Sequence, residues 1–149
     1  LLLAAEGIDV NQVNPSNGNF PLLIAAENGH AAVVQLLLAA KGIEVNTTSN
    51  EGVTTVFIAA QYGHTAVVEV LLAAGADIAV SMHGNGWASL FVAAWSGHAA
   101  VVRMLLAAGA DRDGVTTQKH LGVAPGLTAL SVAEAKGHLD VAGLLRFDV

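Results

Sequence analysis

A ten-residue phrase recurs along the chain: Gly29-His30-Ala31-Ala32-Val33-Val34-Gln35-Leu36-Leu37-Leu38 has counterparts opening at Gly63-His64 and Gly97-His98, and a looser one at Gly137-His138. The steps from 29 to 63 and from 63 to 97 are 34 residues each, and the step from 97 to 137 is 40. Self-similarity at such a period means that no single copy can bury its apolar face alone. Stacked copies can, so the chain must be a linear array.

Within the phrase, His30, Val33, Val34, Leu37 and Leu38 follow the i, i+3, i+4, i+7, i+8 spacing of a helix buried along one broad face. Gly29 suits the left-handed residue that ends a preceding helix. A shorter apolar stretch precedes each Gly-His, and three of these stretches hold an alanine pair (Ala25-Ala26, Ala59-Ala60, Ala93-Ala94) that suits close helix approach. Each copy therefore reads as a short helix, a glycine turn and a longer antiparallel helix. Polar turn-forming stretches such as 14–19 and 49–52 join the copies. The expected fold class is all-α: a solenoid of stacked helix-turn-helix units joined by hairpin-like loops.

These frames resemble the ankyrin repeat, whose pattern runs roughly Gly-x-Thr-Pro-Leu-His-x-Ala-Ala-x-x-Gly-His, an apolar helix, then Gly-Ala-Asp-Val-Asn. Residues 18–26, 52–60, 86–94 and 126–134 fill the first part. Gly75-Ala76-Asp77 and Gly109-Ala110-Asp111 match the closing signature, with Gly7-Ile8-Asp9-Val10-Asn11 and Gly42-Ile43-Glu44-Val45-Asn46 as variants. The resemblance divides the chain into 1–14 (the second half of a truncated repeat), 15–48, 49–80, 81–115 and 116–149. Only Pro21 keeps the family's proline, and Leu23, Phe57, Phe91 and Ser131 replace its first-helix histidine. More apolar packing is expected in consequence. Thr54 and Thr128 can cap their helices, whereas Phe20 and Ala88 cannot, a difference of about 1 kcal/mol per helix start.

The resemblance also implies a function. Ankyrin arrays meet partner proteins through their loop tips and the exposed face of their first helices, a concave strip, and carry no catalysis of their own. The matching loop positions here are Asn17, Asn19, Glu51, Val53, His83, Asn85 and Trp87, and the matching helix positions are Glu27, Asn28, Gln61, Tyr62, Trp95 and Ser96. Tyr62, Trp87 and Trp95 are expected to converge as aromatic anchors inside a rim of Glu27, Gln61, Asn85 and Ser96; the alternative is that Trp87 or Trp95 only fills the groove between its loop and the next repeat. Two rival roles share this fold: a rigid spacer that touches nothing through the strip, and a regulatory domain of a larger protein or effector. The family setting is intracellular, or delivered into a host cell.

Composition narrows the partners. The 149 residues are 54% hydrophobic, enough for a sizeable core in one domain, and the mean hydropathy of +0.58 raises the question of a membrane. The long uncharged run 78–102 is broken by Gly84-Asn85-Gly86 and Ser96-Gly97-His98, so it reads as repeat core rather than a spanning helix. The net charge is −6, and residues 1–77 hold seven of the twelve acids against Lys41 alone. These acids read either as ordinary solvated faces or as an acidic end that attracts a basic segment of a partner, and an acidic chain without a basic stripe points away from nucleic acid.

Among the six histidines, His30, His64, His98 and His138 share one repeat position and read as structural, because equivalent sites one repeat apart do not converge. His83 and His120 lie in neighbouring loops without a nearby thiolate or carboxylate, a weak metal pattern. With no nucleophile elbow, phosphate loop or dinucleotide glycine pattern, no enzyme, cofactor or metal is expected. Two irregularities remain. Residues 1–11 nearly duplicate 36–46, so the chain is expected to open in a second helix and to self-associate through that truncated N-terminal face. From the closing acid to the next frame glycine the steps are 9, 8 and 9 residues (from 9 to 18, 44 to 52 and 77 to 86), then 15 from 111 to 126. The extra residues are either a tolerated surface loop or a functional one.

Overall fold

A computed structural model describes residues 7–147. Among these residues eight α-helices follow in chain order: α1 (Pro21–Glu27), α2 (Ala31–Leu38), α3 (Thr55–Tyr62), α4 (Thr65–Ala73), α5 (Ser89–Ser96), α6 (Ala99–Ala107), α7 (Ala129–Lys136) and α8 (Leu139–Arg146). They pair as four antiparallel hairpins. The first helices pack on one another in the order α1, α3, α5, α7, and the second helices pack as α2, α4, α6, α8. Two layers result, with the core between them. Among the described residues there is no strand, only the isolated bridges Thr48–Thr54, Val115–Thr128 and His120–Val123.

The apolar spacing explains which face turns inward. Val67, Val68 and Leu71 of α4 and Val101, Val102 and Leu105 of α6 are fully buried, whereas Thr65, Glu69 and Arg103 face solvent. The alanine pairs Ala59-Ala60 and Ala93-Ala94 are at 0% exposure, where neighbouring first helices meet. Leu23, Phe57 and Phe91, at the place of the family's histidine, all enter the core, and Ser131 instead helps to cap α7. Thr54 Oγ1 accepts from Phe57 N at 3.2 Å, and Thr128 Oγ1 accepts from Ser131 N at 3.1 Å. Ser131 Oγ accepts in return from Thr128 N at 2.9 Å, which closes a capping box. Neither Phe20 nor Ala88 makes a side-chain cap.

The Gly-His phrase acts across repeats as well as within one. Gly63 sits at φ 72°, and a Cβ added there would lie 2.6 Å from Nδ1 of His98 in the next repeat. Gly29 stands in the same relation to His64, and Gly97 to His138. A side chain at Gly63 is thus excluded twice, by backbone conformation and by the ring above it. Each ring then reaches back to a carbonyl near the end of the preceding first helix: His64 Nε2 to Glu27 O at 2.8 Å, His98 to Gln61 O at 3.0 Å, His138 to Trp95 O at 3.1 Å. A carbonyl only accepts, so Nε2 carries the proton in all three. In the loops, Asn11 joins repeats by donating to Gly42 O and accepting from Glu44 N, and Asn46 Oδ1 accepts from Asp77 N. The expected second helix at Leu1, Leu2 and Leu3, and self-association through that face, lie outside the described residues. No helix among the described residues is long and apolar enough to cross a membrane.

Candidate functional site

The first helices and the loops before them form a strip along one side of the array, and its two ends are built differently. At the N-terminal end, Asn17, Asn19, Glu27, Glu51 and Val53 line one groove of about 270 Å³ together with Leu23, Ser49 and Ile58. Five of the positions singled out in the sequence thus meet in one place. Side chains there already hold the loops in shape: Asn17 Oδ1 accepts from Asn19 N, and Ser49 Oγ accepts from Glu51 N and Val53 N. Val53 is 8% exposed and belongs to the groove's floor rather than to its reachable rim. Glu51 and Asn17 are exposed, and Glu27 is half-buried.

In the middle of the strip, Gln61 is half-buried and lends its carbonyl to His98, while Tyr62 is 50% exposed. The Tyr62 ring stacks on His64, with centroids 6.0 Å apart and planes at 27°. Asn28 is exposed but turns back on its own helix, donating from Nδ2 to Ile24 O at 2.8 Å. His83 stands exposed at a loop tip with φ 48°, its backbone N packed above Gly52.

The C-terminal end corrects the expectation of three converging surface anchors. Trp87 is 2% exposed and Asn85 3%; both are core residues. Trp87 packs against Phe91, Trp95 and His120 with ring centroids 4.9, 5.4 and 5.3 Å away, and Asn85 Oδ1 accepts from Trp87 N at 2.9 Å. The physical reason is the long fourth connection. Its Thr117 donates from N to Asn85 O and from Oγ1 to Gly84 O, its Val123 joins the core, and its His120 meets the Trp87 ring edge-on. Residues that an ordinary loop would leave at the tip are roofed over. Tyr62, stacked on His64, does not complete a triad with the two tryptophans.

Trp95 and Ser96 remain half-buried and reachable. Over the Trp95 ring lies Lys136 Nζ, 4.1 Å from the centroid. The parts played by Lys136 and His120 in this cluster were not assigned from the sequence. The step of 15 residues from Asp111 was the one sign that the fourth loop would reach its neighbour. Among the described residues, no group of three or more His, Asp or Glu side chains could hold a metal ion.

The family comparison agrees with this geometry. A model for ankyrin repeats (three copies) matches residues 1–82, and one for a single ankyrin repeat matches residues 85–117. A comparison with curated proteins finds no match. The matches stop before α7, yet α7 and α8 keep the repeat's geometry: Gly137 is left-handed and His138 reaches back to Trp95 O. The chain belongs to the ankyrin-repeat family, whose members are generally non-catalytic modules that bind other proteins.

Proposed function

We propose that this protein binds a partner protein through the concave strip, and that a basic segment of the partner enters the groove between the first two hairpins. The observation that carries the reading is the groove itself, which gathers Asn17, Asn19, Glu27 and Glu51 over a floor of Leu23, Val53 and Ile58. Two carboxylates beside amide groups offer acceptors to lysine or arginine, and the apolar floor suits the aliphatic stem of either. Exposed charges of this kind contribute up to about 1 kcal/mol each to affinity and act mainly on association rate and specificity. The acidic excess of the N-terminal half draws the same kind of partner over a longer range. Tyr62, Trp95, Ser96, Asn28 and His83 extend the contact surface along the strip.

A display library of random peptides, panned on the protein and on a Glu27→Gln/Glu51→Gln variant of matching circular dichroism, tests the assignment. Peptides rich in lysine and arginine are expected to be enriched on the parent protein and lost on the variant. Enrichment that the variant keeps, or enrichment of acidic peptides, overturns the assignment.

A further inference from the structure

We infer that the outward face of Trp95 is a seat for a second cationic side chain of that partner, and that Lys136 occupies the seat while the partner is absent. The inference rests on the concave-strip reading and adds to it a spacing and a competitor. The structure already shows a cation at the seat: the Lys136 ammonium stands 4.1 Å from the centre of the Trp95 ring. That is well inside the roughly 6 Å at which a ring quadrupole attracts a positive charge. The ring is held in place from behind. Trp87 packs against it at 5.4 Å and is itself pinned by Phe91 and His120, while His138 fixes the Trp95 carbonyl.

The cover is the opposite of rigid. Lys136 is the last residue of α7, is exposed, and carries its charge on a flexible four-carbon stem. Swinging it into water gives up a contact worth little at an exposed site, and an incoming arginine stacks on indole better than an ammonium does. An acidic ligand would be repelled by the negative face of the ring, and the ammonium already seated there shows that the face takes a cation. The partner chemistry at this end is therefore the same as at the acidic groove.

The two seats are a fixed distance apart. Stacked helices lie about 8–10 Å from one another, so α1 and α5, two steps apart, are separated by roughly 16–20 Å. An extended chain covers that length in about five or six residues. One linear segment with basic residues at that interval can meet Glu27 and Glu51 with one end and Trp95 with the other.

The test uses a peptide with two Arg-Arg pairs separated by about five glycine and serine residues, a length set by the extended rise per residue. Its affinity is measured by isothermal titration calorimetry. Lys136→Gln removes the competitor, and Lys41→Gln, exposed in a loop after α2, makes the same change of charge away from the seat. Lys136→Gln should bind about two- to fivefold tighter than Lys41→Gln, the span that an exposed cation–π contact commands. Trp95→Leu should weaken binding by a similar factor and cancel the effect of Lys136→Gln in the double variant. Equal affinities of the two lysine variants, or weaker binding by Lys136→Gln, overturn the inference. If binding still depends on Glu27 and Glu51 in that case, the groove assignment stands without it. A parent protein that does not bind the peptide sinks both.

Discussion

The repeats place Asn19, Val53, Trp87 and Leu127 at one and the same position, directly after the frame glycine, and Asn17, Glu51, Asn85 and Pro125 directly before it. At the N-terminal end Asn17 and Glu51 stay at the surface and Asn19 is half-buried, and they leave an open groove. At the third repeat the same two positions are sealed, Asn85 at 3% and Trp87 at 2% exposure. Part of this burial comes from the third repeat itself, where Phe91 and Trp95 pack against Trp87. The cover comes from the next repeat's connection, through Thr117, His120 and Val123. In the third repeat the longer connection that follows adds a cover over these two positions, whereas Val53 is 8% exposed under a connection of ordinary length, so loop length contributes to burial here without deciding it alone.

The largest effect that could break this comparison is at Trp87. Truncation to Ala should cost about 3–5 kcal/mol, as for a buried aromatic. Asn19→Ala, at the identical repeat position, should stay within about 0.5 kcal/mol. Urea unfolding of both variants decides the matter, and similar losses would show that the two ends are not packed differently.

A second, uniform class of contact provides an internal standard. His64 and His98 make the same carbonyl bond over the same kind of glycine, and both are half-buried. Removing either ring should cost about 1–2 kcal/mol, because a partly buried carbonyl loses its donor. His30→Ala should cost less: it is exposed, whereas His64 and His98 are half-buried and bonded to a carbonyl of the preceding repeat. Unfolding midpoints that differ strongly between the His64 and His98 variants would show that the interlock is not carried by this bond.

How much of this was legible in the sequence follows from where the information resides. The helix pairs, the capping threonines and the core faces of α4 and α6 are set by residues a few positions apart, and spacing reveals those directly. The interlock is partly legible, since histidines recurring at one repeat position point to a structural role, which three of the four fill while His30 stays exposed. That role, reaching back to a carbonyl 37 residues earlier in His64 and His98, appears only once copies are stacked. For Trp87 the frame left two fates open, a surface anchor or a filler of the groove between its loop and the next repeat, and the second is the one found. The frame assigns residues to the strip on the assumption of equal loops, and the fourth loop is longer. Asn17, Asn19, Glu27 and Glu51, on connections of ordinary length, do line one groove, while Val53, on such a connection too, lies in its floor.

The roof over Trp87 can be thinned without touching the tryptophan. His120→Ala removes one edge-on ring contact, which is expected to cost about 0.5–1.5 kcal/mol. It should also raise the quenching of tryptophan emission by acrylamide, because a sealed indole becomes reachable. The matching control, Leu121→Ala, changes a side chain at 73% exposure in the same loop and should do neither. Unchanged quenching in the His120 variant would mean that the seal over Trp87 is made by other residues.

The smallest expected effect carries the comparison to the helix starts. α1 opens with Pro21 at its first position, where a missing N–H costs nothing and the fixed φ is already helical. α5 opens with Ser89, fully buried, its hydroxyl without a hydrogen-bond partner among the described residues. Ala88 precedes it at φ −84° and ψ 172°, the extended conformation that a following proline requires. The position also tolerates bulk, since α3 holds the larger Thr55 there at 0% exposure. Ser89→Pro should therefore stabilise the protein by about 0.5–1 kcal/mol, by restricting the unfolded chain and removing an unpaired buried hydroxyl. Thermal and urea unfolding measure the gain. A loss instead would show that the C-terminal half of the strip is packed too tightly around α5 to accept the start that α1 uses.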